Sequence, residues 1–210
     1  MTDDLETRAR AFGQTGSASP VDRRGVWMSG QGIRRHVGSF AGKDVGDFGC
    51  GFDATFARTI ADEVASLVIV DVALAPDLDA HPRVQARPGP LPETLDGLVD
   101  ASLDVVLCIS VLEHLWEPER MLASMRRVLR AGGVRVVNVP SWLGKRALEF
   151  SAFKLGLSPA YEMDDHKAYY DPKDLWPLLV RSGFKPSDIS CRRHKFALNT
   201  LAVCRIPEEA

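Results

Sequence analysis

Cysteine is scarce, with four in 210 residues, and Cys50, Cys108, Cys191 and Cys204 form no CxxC pair. A disulfide framework or a cysteine-built zinc cage is therefore not expected, and the cysteine usage fits a reduced, cytoplasmic protein. Long hydrophobic runs are also missing. The longest candidates, Val105–Val111 and Val134–Val139, fall far short of the roughly 18 residues of a membrane span and read as buried strands. Met1–Arg10 is acidic and polar, with no charged-then-apolar leader pattern. Neither charge sign dominates: 26 basic residues face 28 acidic ones, for a net charge of −2. A polyanionic partner such as nucleic acid is accordingly not expected. The basic clusters Arg126, Arg127, Arg130 and Arg192, Arg193, His194, Lys195 have no interleaved aromatics to stack on bases, and read as solvated faces.

What is present is the composition of one ordinary globular domain, 45% hydrophobic and 26% charged. Residues 1–20, rich in Gly, Ser, Thr and charge, read as a loose arm, with the domain occupying 21–210. Val21–Phe40 predicts one helix, weakened by glycines. Strands and helices then alternate. Asp44–Phe48 reads as a strand ending in a glycine turn, and Phe52–Val64 as a helix with Phe52, Phe56 and Ile60 on one face. Leu67–Val70 is an apolar strand stopped by Asp71, with a further short strand near Val84 in a proline-rich stretch. Leu103–Ile109 is the next buried strand. Glu117-Pro118-Glu119 opens a helix with an apolar stripe through Met121, Leu122, Met125, Val128 and Leu129, and Gly132-Gly133 closes it. Val134–Val139 is another strand. Ser141–Asp165 breaks the rhythm and reads as helices over a site. Asp171-Pro172 starts a helix to Arg181, and Ser187–Cys191 with Phe196–Cys204 reads as a closing hairpin. The pattern predicts an α/β fold with a mostly parallel sheet and helices on both faces.

The chemistry centres on Asp47-Phe48-Gly49-Cys50-Gly51, between a strand and a helix. Glycines let the chain turn sharply and let a ligand approach the amides at the helix start. In open α/β sheets, nucleotides sit at such turns. Asp71, at the end of the second strand, is placed to accept the hydroxyls of an adenosyl ribose. A dinucleotide fold wants a third glycine where Asp53 stands, and a carboxylate there would repel a diphosphate. Asp53 reads first as the cap of the helix. With Asp47, it suits a cofactor carrying cationic groups.

Val45–Gly51, Val68–Asp71, Leu103–Val106, Ser110-Val111-Leu112-Glu113-His114 and Leu129–Gly133 resemble, in order and spacing, the motifs of class I S-adenosylmethionine-dependent methyltransferases of the domain 11/23 type. The resemblance implies a Rossmann-like, seven-stranded sheet with an antiparallel last strand and S-adenosyl-L-methionine as cofactor. It places Asp47, Gly49 and Gly51 along the methionine half, Asp71 on the ribose, and Ser110 with Val111 beside the bound cofactor; Cys50, between the two glycines, is counted with the cofactor-binding residues. Arg87 stands near the slot where many relatives carry an adenine-binding acid, and is not assigned to the site. Glu113-His114 is similar to a segment of the ubiquinone-pathway O-methyltransferases, whose acid-rich version binds a divalent ion. Ser110 replaces the earlier acid here, so no metal is expected.

Acceptor choice belongs to the arm near Trp27-Met28 and to the 141–170 insert, which also holds Tyr161, with Trp142, Tyr169 and Tyr170 as substrate-binding candidates and His166, beside Asp164 and Asp165, as the expected general base. Segments 142–146 and 164–170 are also similar to small methyltransferases of polysaccharide and glycolipid pathways. That resemblance implies O-methylation of a sugar or related metabolite. RNA or nitrogen methylation, and a non-catalytic cofactor-binding partner subunit, are the alternatives.

Overall fold

The computed structural model describes residues 30–155 and 166–208, with the backbone alone at 150–155. The element order is helix α1 (30–37), β1 (Asp44–Phe48), α2 (Thr55–Arg58), β2 (Ser66–Asp71), β3 (Val84–Pro88), β4 (Leu103–Ile109), α3 (Pro118–Val128), β5 (Leu129–Pro140), α4 (Trp142–Leu155), α5 (Pro172–Arg181), β6 (Ile189–His194) and β7 (Asn199–Arg205). The arm at 1–20, Trp27, Met28, Tyr161, Asp164 and Asp165 lie outside the described residues.

Seven strands form one sheet in the order β3-β2-β1-β4-β5-β7-β6. Strands β1 to β5 run parallel to their neighbours, and β7 is antiparallel to both β5 and β6. The inner strands read as continuous apolar runs because both faces are covered. Along β4, Val106 and Cys108 point into one core with Met121, Leu122 and Met125 of α3 and Leu175 and Leu179 of α5. Val105 and Leu107 point into the other, with Ile33 and Val37 of α1 and Ala57 and Ile60 around α2. Strand β2 alternates likewise, Val68 and Val70 against Leu67 and Ile69. Asp171 caps α5 reciprocally with Asp174, and Pro172 occupies the first turn. None of the described helices is long and apolar enough to cross a membrane.

Four expectations change. The helix expected over Phe52–Val64 is regular only at Thr55–Arg58 and continues as turns, although Ile60 and Val64 are buried as their spacing required. Asp53 is not its side-chain cap: Ala54, in a left-handed conformation (φ 45°), takes the N-cap with no side-chain bond, and the Asp53 carbonyl accepts from Arg58 Nε at 2.8 Å. Strand β5 begins at Leu129, directly after α3, so Gly132-Gly133 lies within the strand's irregular start and does not end the helix. The closing hairpin is shifted, with Lys195, Phe196 and Ala197 at positive φ forming its tip.

Candidate cofactor and acceptor site

From β1 the chain proceeds to β2 and β3 on one side, whereas β4 and β5 lie on the other. The carboxyl ends of β1 and β4 therefore flank a crevice, the place where open α/β sheets bind ligands. A cavity lies there. Gly49, Cys50 and Gly51 line it after β1, Asp71 and Val72 after β2, Leu91 after β3, and Ser110, Val111, His114 and Leu115 after β4.

The two turn glycines do different work. Gly49 has φ +82°, its N–H donates to the Val70 carbonyl at 2.7 Å, and an added Cβ would sit 2.1 Å from Val111 Cγ2. It is required by packing between the β1 and β4 turns. Gly51 has φ +76°, but a Cβ there would meet nothing within 4 Å. Its open side is space for a ligand running along the backbone. Asp71 ties the turn to β2: one carboxylate oxygen accepts the Gly51 N–H at 2.7 Å, and the other the Val72 N–H at 2.7 Å. A carboxylate oxygen can accept more than one hydrogen bond, which suits this group to a ribose hydroxyl.

Asp47 lies beneath this turn, 4% exposed and outside the residues that line the cavity. Burial first, and the neighbouring Asp71 charge second, push its carboxyl up to about 7. The Cys50 thiol is raised far above its ordinary value by burial and then by Asp47 and Asp71. A site that raises its acids in this way favours a cation over a phosphate. Ser110 sits at φ +56° and donates its N–H to the Asn138 carbonyl at 2.7 Å, which turns the chain sharply out of β4.

The other wall follows from a tight turn at Leu112–His114. Glu113 is 1% exposed, and burial pushes its carboxyl up to about 7, with His114 opposing the rise. Its backbone carbonyl accepts the N–H groups of Lys167 (2.6 Å) and Ala168 (3.2 Å), docking the 166–170 segment against the turn. That docking brings the His166 ring to 4.7 Å from His114, edge to face. His166 Nδ1 lies 2.9 Å from the Tyr169 hydroxyl. The Trp142 ring is 5.6 Å from Tyr169, and its Nε1–H donates to Asp174 Oδ2 at 3.2 Å.

Of the residues named from sequence, Gly49, Cys50, Gly51, Asp71, Ser110 and Val111 share the cavity, and Trp142, His166 and Tyr169 cluster beside His114. Tyr170 does not join them. Both tyrosines are 6% exposed, but Tyr170 packs in the core against α3 and α5, and its hydroxyl donates to the Leu112 carbonyl at 3.5 Å. Sequence reasoning passed over His114 as a cavity wall and missed Leu91, Leu115 and the exposed Trp116, over which Lys167 lies at 5.4 Å. Leu115 and Trp116 follow His114 directly, and that adjacency was the available signal.

Residues 46–137 match the methyltransferase domain family. A probable S-adenosylmethionine-dependent methyltransferase of Mycolicibacterium smegmatis is 39% identical over 151 residues, covering 70% of this chain and 54% of that protein. A ubiquinone biosynthesis O-methyltransferase of Idiomarina loihiensis is 30% identical over 123 residues, 53% of this chain and 50% of that protein. The chain thus spans about half the length of these curated relatives. Among solved structures, an Archaeoglobus fulgidus S-adenosylmethionine-dependent methyltransferase superposes with a TM-score of 0.62 at 16% identity, over 85% of this chain and 93% of that one. Residues 46–137 thus form a methyltransferase domain, and the seven-stranded topology is the one shared with class I S-adenosylmethionine-dependent methyltransferases. The cofactor of that class is S-adenosyl-L-methionine, and the residues fit it: Gly51 is open to a ligand, Asp71 is poised for a ribose, and the buried Asp47 favours a cation.

Proposed function

We propose that the protein transfers the methyl group of S-adenosylmethionine to an oxygen of a sugar or related small metabolite. Gly49, Cys50, Gly51, Asp71, Ser110 and Val111 hold the cofactor, Asp47 acts on it by its charge from beneath the turn, and Trp142 and Tyr169 hold the acceptor. The observation that carries the oxygen reading is His166, fixed on Tyr169 and stacked against the cavity-lining His114. A hydroxyl keeps its proton at neutral pH, so its attack on a methyl group needs a proton-accepting or proton-displacing group nearby. A neutral amine, by contrast, attacks through its free lone pair and sheds its proton only afterwards. The similarity to a ubiquinone biosynthesis O-methyltransferase points the same way. A half-exposed Trp142 beside Tyr169 offers a flat apolar face of the kind on which a sugar ring stacks, with Lys145 over the Tyr169 ring at 5.8 Å.

The displacement is in line. The protein's own work is to align acceptor oxygen, methyl and sulfur and to keep water from the methyl group. The test is incubation with S-adenosylmethionine and a panel of mono- and oligosaccharides, small phenols, amines and RNA, with product mass and methyl position read by mass spectrometry. Methylation on a sugar hydroxyl is expected. His166→Ala should lower kcat by about 10²–10⁴ while S-adenosylhomocysteine affinity holds. Methyl transfer confined to amines or RNA, or a variant with more than about a third of wild-type kcat, defeats the reading.

A further inference from the structure

We propose that Glu113, His114 and His166 bind one divalent transition-metal cation, with manganese or zinc preferred to magnesium, on the acceptor wall of the cavity. Ser110 led to the expectation of no metal, but the fold supplies a different third donor from across the site. One ligand atom from each of the three residues lies within 4.8 Å of the others. A cation with bonds of about 2.1 Å holds neighbouring donors about 3.0–3.4 Å apart, so the set closes by up to about 1.5 Å on binding. Glu113 Oε2 is fully buried and has no hydrogen-bond partner among the described residues. A carboxylate oxygen left so in a core needs a counter-charge or a donor.

Two further contacts favour coordination. The Tyr169 hydroxyl on His166 Nδ1 is an outer hydrogen bond of the kind that orients a ligating imidazole, directing Nε2 to the cation. The Lys167 and Ala168 amides on the Glu113 carbonyl fasten together the two segments that carry the ligands. Two imidazoles and one carboxylate are softer than the all-oxygen shell magnesium demands, and they suit manganese, iron or zinc. Three protein donors leave positions open toward the cavity that His114 lines. Resting on the methyl-transfer reading, an acceptor hydroxyl coordinated there gives up its proton to water more readily. Its oxygen then bonds to the methyl carbon as the carbon–sulfur bond breaks and the electron pair returns to sulfur. His166 acts in this state as a ligand, and the cation, not the ring, activates the hydroxyl.

The test uses the full chain, stripped with EDTA and desalted, and titrated by calorimetry with Mn²⁺, Zn²⁺ and Mg²⁺, with Co²⁺ as a visible-absorption probe. One cation per chain is expected, with Mn²⁺ and Zn²⁺ at least about tenfold tighter than Mg²⁺. Glu113→Gln and His166→Ala should each weaken Mn²⁺ binding at least about tenfold, and Tyr169→Phe by about tenfold. Circular dichroism and S-adenosylhomocysteine binding report the fold of each variant. Should Glu113→Gln fail to fold, His166→Ala and Tyr169→Phe decide. Absence of stoichiometric binding by all the cations, or wild-type affinity in the folded variants, overturns the site. A protein that binds S-adenosylhomocysteine but no cation loses only this inference, and one that binds the cation but not S-adenosylhomocysteine loses the cofactor reading instead.

Discussion

Replacing Asp71 by alanine separates its two roles. Its carboxylate accepts two backbone N–H bonds of 2.7 Å, from Gly51 and Val72, and in the cofactor complex it should also accept from the ribose. Hydrogen bonds to a charged group contribute about 1.5–3 kcal/mol each, toward the lower end where water can replace the lost partner, as it can at this half-buried side chain. Asp71→Ala should therefore cost about 3 kcal/mol of stability through the turn. The lost ribose bond should cost about 1.5–3 kcal/mol in binding, or about 10- to 150-fold in affinity. Thermal denaturation reads the first effect and calorimetric titration with S-adenosylhomocysteine the second. Asp71→Asn keeps one acceptor oxygen and should recover part of the stability. If Asp71→Ala loses stability yet its folded fraction binds S-adenosylhomocysteine as the wild type does, Asp71 braces the turn and does not touch the ribose. If neither quantity changes, the account of the turn is wrong as well.

The glycine pair should respond in opposite ways. Gly49→Ala, facing Val111 Cγ2 at 2.1 Å, should fold poorly and be partly rescued by Val111→Ala, as read by soluble yield and melting temperature. Gly51→Val should fold with a loss of about 1–2 kcal/mol for its left-handed backbone but abolish S-adenosylhomocysteine binding, because its side chain enters the ligand's space. Asp47 gives a pH dependence. Its folded value of about 7 stands above the unfolded value of about 3.9. The folded state holds the proton longer, so the contribution to stability is full below about pH 4 and is lost as pH rises through 7. Glu113 acts in the same sense, so the contribution of Asp47 is read as the difference from Asp47→Asn, which should flatten the decline. Affinity for the cationic S-adenosylmethionine should rise through pH 7 in the wild type and much less in Asp47→Asn. Identical profiles for the two proteins would rule out the role of Asp47.

The cofactor half was legible because it is local. Parallel strands buried on both faces are written as apolar runs, and Asp47, the glycine turn and Asp71 stand at the ends of two strands that pair directly, Asp47 opposite Ile69. The extent of α2 was not legible: Phe52, Phe56 and Ile60 carry helical spacing, but successive turns can bury the same residues. Tyr169 and Tyr170 were given one role, yet in an extended segment adjacent side chains point to opposite sides. One meets His166 and the other enters the core. Arg135 was equally hidden. It is fully buried in β5, stacked on Phe184 at 4.4 Å and donating to the Leu122 carbonyl at 2.9 Å. A backbone acceptor leaves no mark in the sequence from which its partner could be read.

The acceptor half is non-local for a related reason: main-chain bonds from Lys167 and Ala168 to Glu113 dock the segment that carries His166. Such bonds can be made by almost any side-chain sequence, so only the coordinates show them. Yet the stretch from Ser110 to His114 belongs to both halves. Ser110 and Val111 face the cofactor turn, Glu113 and His114 face the acceptor cluster, and Leu112 is fully buried between them. Five consecutive residues, bent by the positive φ of Ser110, thus set the distance between the methyl donor and the groups that handle the acceptor. A change that relaxes this bend, such as Ser110→Val, should separate the halves, lowering kcat more than it weakens S-adenosylhomocysteine binding.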